Sequence, residues 1–425
     1  MMIAAHTPIA FIKFEMRPIL YAVCAILCVF LMASAAVAAP FGKVLDIRSG
    51  AQDNISRFVI ESDVQLPYHI FTLGNPNRLV IDLPELEWQG ANSQNSKGQG
   101  INRGIMQGYR VGLFKPGITR VVIDLDAAAK LKSHFSIPQN DGVGARLVID
   151  LVAQAGPLLS VKSENWEAYS QGLDQASLSA PSPLLRPVPN QRRAKPLIVI
   201  DPGHGGVDPG AISRSGIYEK NIVLTAAKII QQKMQESGNY EVALTRDRDI
   251  FIPLRKRYDI AQNLQADLFI SLHADSHEKK QFRGFSIYTL SDKASDKEAA
   301  ALATKENKSD LIAGANLDEY TPEVSSILID LAQQSVNEGS WHYAEMLVNS
   351  LPSNVKTLRN PHRFAGFAVL KSPNIPSVLI ELGYLSNSQD EANLRRKDYL
   401  QAIGNALTKA ANAYFEREKR LNDDL

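Results

Sequence analysis

A chain of 425 residues, 45% of them hydrophobic, is longer than one typical domain and has material for more than one core. Its 46 Lys and Arg stand against 45 Asp and Glu, a balance that gives no electrostatic case for nucleic-acid binding.

In chain order, Lys13 and Arg17 precede an apolar run from Ile19 to Met32, which ends in the small residues Ala33–Ala39. This pattern predicts a secretory signal peptide over residues 1–38, cleaved after Ala36-Val37-Ala38. The run is too short for a good membrane anchor and no second long apolar segment follows, so the exported product is expected to carry no membrane span. The absence of an arginine pair ahead of the run favours the Sec route, and with it a periplasmic location, over twin-arginine export. Cleavage removes Lys13, Arg17 and Glu15, taking Lys and Arg from 46 to 44 and Asp and Glu from 45 to 44. It also removes Cys24 and Cys28, so any metal must be held by His and carboxylate side chains.

From Phe41 to about Gln154, short apolar alternations are broken by Gly, Asn and Pro, which predicts an all-β region. One phrase recurs four times, as Ser56–Glu61, Asn77–Asp82, Thr119–Asp124 and Ala145–Asp150, each with the form Arg-apolar-Val-Ile-acid. Four such strands in two pairs suggest a duplicated β-sandwich, with the repeated Arg and Asp read as solvent-facing strand ends. The phrase, in an exported chain, resembles the AMIN domain of cell-wall amidases over residues 40–153. That resemblance implies a module that targets the envelope or division site and has no chemistry of its own. Residues 154–195 turn to Ser, Pro, Gln and Ala and read as a linker.

Beyond the linker, short β-rich runs (Leu197–Asp201, Val242–Thr245, Leu268–Ala274, Gly284–Leu290, Ser377–Glu381) alternate with amphipathic stretches. Helices are expected near Lys220–Ser237, Leu254–Leu264, Ser325–Leu351 and Asp398–Lys419. The alternation predicts an α/β domain over residues 196–418 with a largely parallel twisted sheet. Three residues stand out. His204 follows the first strand in Asp201-Pro202-Gly203-His204-Gly205-Gly206, Glu219 sits in the first turn of a periodic helix, and His273 ends the strand Leu268–Leu272. Carboxyl ends of parallel strands and amino ends of the following helices share one rim, so all three are expected there. Two imidazoles, one carboxylate and an open position make a catalytic zinc arrangement. Glu381 ends the apolar run Ser377–Ile380, where burial of a carboxylate is costly unless it is used, and is read as the general base and acid.

Asp-Pro-Gly-His-Gly-Gly, Glu-Lys-Asn, Ser-Leu-His-Ala-Asp and Glu-Leu-Gly-Tyr-Leu-Ser-Asn, in this order, resemble the zinc N-acetylmuramoyl-L-alanine amidases of the AmiA/AmiB/AmiC type. The resemblance implies Zn2+ on His204, Glu219 and His273, catalysis by Glu381, and hydrolysis of the peptidoglycan amide between the lactyl group and L-alanine during daughter-cell separation. The segment Ser291–Glu323 is long for a connection in a compact domain, and a regulatory insertion is expected at about 291–340. Lys305–Ile312 resembles the inhibitory insertion of division amidases. That implies Glu306 as an autoinhibitory metal ligand and a LytM-domain protein as activator. Two rivals remain: a zinc peptidase acting on the stem peptide, and a non-catalytic glycan-binding adaptor that would tolerate loss of these residues.

Overall fold

The computed structural model describes residues 40–88, 103–140, 143–154, 156, 159–179, 193–315 and 327–423. The expected signal peptide, the middle of the linker and the expected helix start at Ser325 lie outside them.

The N-terminal region is built from β1 (Gly42–Gln52), β2 (Ile55–Ser62), β3 (His69–Leu73), β4 (Arg78–Pro84), β5 (Leu86–Trp88), β6 (Met106–Lys115), β7 (Ile118–Leu125), β8 (Ala129–Ile137), β9 (Ala145–Ala153) and β10 (Ser160–Lys162). They form two five-stranded sheets, ordered β5-β1-β2-β9-β8 and β10-β3-β4-β7-β6. Inward residues of both, among them Phe58, Ile60, Leu79, Ile81, Val121, Ile123 and Ile149, make one core.

The four repeated phrases are β2, β9, β4 and β7, and they pair two by two. Antiparallel pairing of two copies sets each Arg opposite the acid of its partner: Arg57 against Asp150 and Glu61 against Arg146 in one sheet, Arg78 against Asp124 and Asp82 against Arg120 in the other. Arg57 makes a two-pronged bond to Asp150 at 2.7 and 2.8 Å, and Arg120 does the same to Asp82 at 2.6 and 2.8 Å. The repeat is therefore a cross-strand charge code that fixes register. Its polar residues are not all at the solvent, as the sequence reading had them. Arg78, Asp82, Arg120 and Asp150 are buried, and every residue of β4 is buried on both faces.

The expected linker also carries structure. β10 adds to β3, and α1 (Trp166–Ser179) follows, its Trp166 buried beside His69 and Tyr169. The Ser, Gln and Ala composition of this stretch hid a helix whose anchor is one aromatic residue.

The second domain runs β11 (Leu197–Pro202), α2 (Glu219–Glu236), β12 (Glu241–Leu244), α3 (Leu254–Asn263), β13 (Leu268–His273), β14 (Phe285–Leu290), α4 (Lys297–Glu306), α5 (Ser309–Ile312), α6 (Ile327–Ser350), β15 (Thr357–Ala365), β16 (Ser377–Glu381), α7 (Ser388–Leu394) and α8 (Lys397–Asp423). Its sheet is ordered β12-β11-β13-β16-β14-β15, with β12, β11, β13 and β16 parallel and β14 antiparallel to β16. β11 and β13 are wholly buried and mostly apolar, as a sheet covered on both faces requires. One face packs on α2, α6 and α8 through residues such as Ile230, Tyr343 and Leu407; the other packs on α3 and α4 through Ala261, Leu302 and Ala303. β15 escaped the sequence reading because Thr357-Leu358-Arg359-Asn360-Pro361 has no apolar alternation, which only an edge strand tolerates. The expected insertion splits into α4, α5 and the start of α6, whose later residues Tyr343, Ala344 and Leu347 belong to the core. Among the described residues no helix is long and apolar enough to cross a membrane.

Candidate active site

β11 and β13 are adjacent and β16 lies next to β13, so their carboxyl ends deliver His204, His273 and Glu381 to one rim, with His273 and Glu381 directly opposite in register. The loop after β11 is held rigidly from behind. Arg257 donates to Pro202 O at 2.9 Å and His204 O at 2.8 Å, and to the buried Asp201 carboxylate at 3.0 Å. Arg246 donates to Pro202 O at 3.0 Å and Gly203 O at 2.8 Å. Asp201 also accepts from Thr245 and from Ser271, at 2.6 and 2.8 Å. This bracing keeps His204 in the left-handed region at φ 58°, a strained conformation for a side-chain-bearing residue. Glycine is required at Gly203, where a Cβ would lie 2.4 Å from the His273 ring.

Two of the candidate ligands, His204 and Glu219, are aimed by second groups. His204 Nδ1 bonds Asp208 at 2.8 Å, which turns Nε2 into the site. Glu219 opens α2, and its two oxygens accept from Ala211 N and Ala274 N, both at 2.8 Å. The same oxygens stand 3.2 Å from His204 Nε2 and 3.2 Å from His273 Nδ1. Glu306, the last residue of α4, brings Oε2 to 3.3 Å from His204 Nε2 and 3.2 Å from His273 Nδ1. His204, His273 and Glu306 form a group whose ligand atoms lie within 4.8 Å of one another. His204 Nε2, His273 Nδ1 and Glu306 Oε1 are buried and make no hydrogen bond. Orphaned buried nitrogens converging with carboxylates fit a divalent, nitrogen-accepting metal such as zinc.

Electrostatics agree with that donor set. Burial would lower the His273 imidazole, but Glu306 and Glu219 overcome it and hold the ring up to about 10. Burial would raise Glu306, yet His273 and His204 hold it well below the usual carboxylate range. Glu381 goes the other way. Burial, with Glu219 and Glu306 adding to it, keeps its carboxyl well above the ordinary range against the pull of His273. Its Oε2 accepts from Asp275 N at 2.9 Å, while Oε1 is buried without a partner.

The free space at the metal group is only about 10 Å³, enclosed by residues that include Leu254, Glu306, Asn307 and Ser309. That is about one water molecule's worth. α4 and α5 close it from above, tied down by Ser309 to Asp208, Lys305 to Asp275, and Asp310 accepting from Leu254 N at 2.9 Å. Beside α4 a cleft of about 590 Å³ opens, lined by Asp275, His277, Phe282, Lys305, Arg363 and Tyr384 among others.

The structure thus brings His204, Glu219, His273, Glu306 and Glu381 to one rim. Sequence reasoning missed Asp208, Asp201, Arg246 and Arg257. Of these, Asp208 had a signal, a carboxylate four residues after the candidate ligand; the arginines had none, because only the folded loop presents the carbonyls they bind.

The family described as N-acetylmuramoyl-L-alanine amidase matches residues 198–413, and the AMIN domain matches residues 44–151. Over 387 residues the chain is 33% identical to N-acetylmuramoyl-L-alanine amidase AmiC of Escherichia coli O6:H1, spanning 89% of this chain and 90% of that protein. Over 374 residues it is 31% identical to AmiC of Neisseria meningitidis serogroup B, spanning 85% and 87%. Among solved structures, the catalytic domain of the amidase CwlV from Bacillus (Paenibacillus) polymyxa var. colistinus aligns at 25% identity with a TM-score of 0.37, covering 52% of this chain and 98% of that one.

Proposed function

Because the chain belongs to the N-acetylmuramoyl-L-alanine amidases, peptidoglycan hydrolases here preceded by an AMIN domain, we propose that it uses zinc and Glu381 to cut the amide between the lactyl group of N-acetylmuramic acid and the L-alanine of the stem peptide. The observation that carries this reading is the convergence of two orphaned imidazole nitrogens with Glu219, beside a buried carboxylate whose Oε1 has no partner. His204, Glu219 and His273 would hold the ion, which when bound supplies a Lewis acid that acidifies water and polarises an amide carbonyl. Asp208 orients His204, and the backbone amides of Ala211 and Ala274 keep Glu219 from rotating away. With Oε2 fixed by Asp275 N–H, Glu381 uses Oε1 to take a proton from the attacking water and to hand it to the departing alanine nitrogen. Burial holds its carboxyl above the ordinary carboxylate range, which favours a group that binds a proton during the transfer. The products are a lactyl carboxylate and a stem peptide with a free amino terminus.

We assign the resting chain to an inhibited state. Glu306 stands where water and the substrate carbonyl must enter, and α4 and α5 leave space for about one water. A partner that binds the open form better, of the LytM-domain kind, would release it. Export to the periplasm by the leader at 1–38, targeting by the sandwich and a role in daughter-cell separation complete the reading.

The test is mass spectrometry of purified sacculi digested by the mature chain, with and without zinc chelation. Intact stem peptides with free amino-terminal alanine, lost on chelation, are expected. Cleaved stems still attached to glycan would mean a peptidase, and no products from a Glu306→Ala variant would leave only a binding role.

A further inference from the structure

Residues Pro40–Leu425 cluster as one compact unit, and among the contacts of the sandwich with the catalytic domain are one beside the loop after His204 and one on the segment after α4. The first contact is the edge strand β6. Leu113 pairs with Ile250 as an isolated parallel bridge, and Leu113 O accepts Phe251 N–H at 3.0 Å. Gly112 lies so close to the loop after His204 that a Cβ there would sit 2.2 Å from the Gly206 carbonyl carbon. Phe114 stacks on Phe251, ring centroids 5.9 Å apart, and packs with Val207 and Ala313. Four segments meet in that small apolar cluster: the loop that carries His204, the segment before α3 that carries Phe251, the sandwich, and the segment that follows α5.

The second contact is the outer face of β4, β6 and β7. Arg78 donates to Leu311 O, Arg110 to Ile312 O at 3.2 Å and Arg120 to Gly314 O at 2.7 Å. These carbonyls belong to the end of α5 and the turn after it, where the helix no longer supplies partners for all of them; Leu311 O also accepts Gly314 N–H at 3.1 Å, and each accepts a guanidinium. The turn lies flat on the sheet, with a Cβ built at Gly314 falling 3.2 and 3.3 Å from Val80 and Val122. Asp82 and Asp124 hold Arg120 and Arg110 in position, and Arg120 also covers the Phe114 ring at 3.3 Å. The carbonyls gripped are five to eight residues beyond Glu306, on the short α5, whose Ser309 bonds Asp208, and on the turn that follows it.

Resting on the inhibitory reading of Glu306, we infer that the sandwich is a working part of the lock: its arginine face and β6 edge bind residues 309–314 and hold Glu306 in the metal group. Opening the site then requires the insertion to leave the sandwich as well as the catalytic rim. The coupling is local and physical, because α5, which directly follows α4, cannot lift while the carbonyls of Leu311, Ile312 and Gly314 stay bonded to a rigid sheet.

The experiment uses the full mature chain. Gly112→Val keeps a strand-forming residue in β6 but drives a wedge against Gly206. Arg110→Ala removes one grip and touches nothing in the loop of His204. Each is compared with Glu306→Ala for release of soluble fragments from sacculi and for hydrogen exchange across Lys297–Ile312. Arg110→Ala is expected to raise basal release about tenfold, the effect of losing one charge-assisted hydrogen bond from the closed state, and Gly112→Val to raise it as well. Exchange in that segment should speed up, with no added gain in the Glu306→Ala background. If Glu306→Ala is activated while both sandwich variants release and exchange as the unmodified chain does, the clamp is refuted and the inhibitory reading stands. If Glu306→Ala is not activated, the inhibitory reading falls; unchanged exchange in the sandwich variants would then overturn the clamp as well.

Discussion

Glu381→Gln separates chemistry from architecture at this site. The carboxylate is fully buried, one oxygen accepts Asp275 N–H at 2.9 Å, and the other has no partner. A glutamine fills the same volume, and its carbonyl oxygen can keep the bond to Asp275. Its amide nitrogen then takes the place of Oε1, where it can donate a proton bond but cannot accept the proton of water. Fold and metal stoichiometry should therefore be retained. The loss is that of positioned general acid–base catalysis, about a hundredfold to ten-thousandfold, or roughly 2.7 to 5.4 kcal/mol at 1.36 kcal/mol per tenfold. Because the interaction exists only as the proton moves, the fall should appear in kcat with KM little changed. The assay is dye release from labelled sacculi by the zinc-loaded variant in a Glu306→Ala background, with metal content measured on the same sample. A metal-replete Glu381→Gln chain working within about threefold of its parent would refute the assignment.

The remaining predictions address the supports of the site and the sandwich. Asp208→Asn keeps the hydrogen-bond distance to His204 Nδ1 but weakens the orienting charge, so zinc affinity in a chelator competition should fall about 10- to 100-fold while the melting temperature changes little. Arg257→Met leaves the buried Asp201 without its cation and strips the carbonyls of Pro202 and His204. This should cost about 3–5 kcal/mol and lower the thermal midpoint by about 10 °C; an unchanged midpoint would contradict the bracing role. The sandwich, fused to a reporter and exported, should concentrate at division sites, and diffuse fluorescence from the folded fusion would count against targeting.

The sequence alone determined the features that depend on local pattern. Alternation and turn residues marked the sandwich, apolar runs marked the buried strands, the shared rim of His204, Glu219 and His273 followed from a general rule about where parallel strands end and the following helices begin, and Glu381 stood out as a carboxylate ending an apolar run. The fourfold Arg-apolar-Val-Ile-acid phrase even contained its own pairing, since two antiparallel copies match charge to charge. Tertiary structure decided what surrounds these residues. Arg78 and Arg120 look like strand-end charges until a segment more than 190 residues away lays its carbonyls on them. Arg246 and Arg257 look like ordinary helix or loop cations until the loop carrying His204 curls over them. In each case the partner is a backbone carbonyl, a group every residue carries, so no side-chain pattern in the sequence announces it; only the folded path of the chain places an unpaired carbonyl where a guanidinium can reach it.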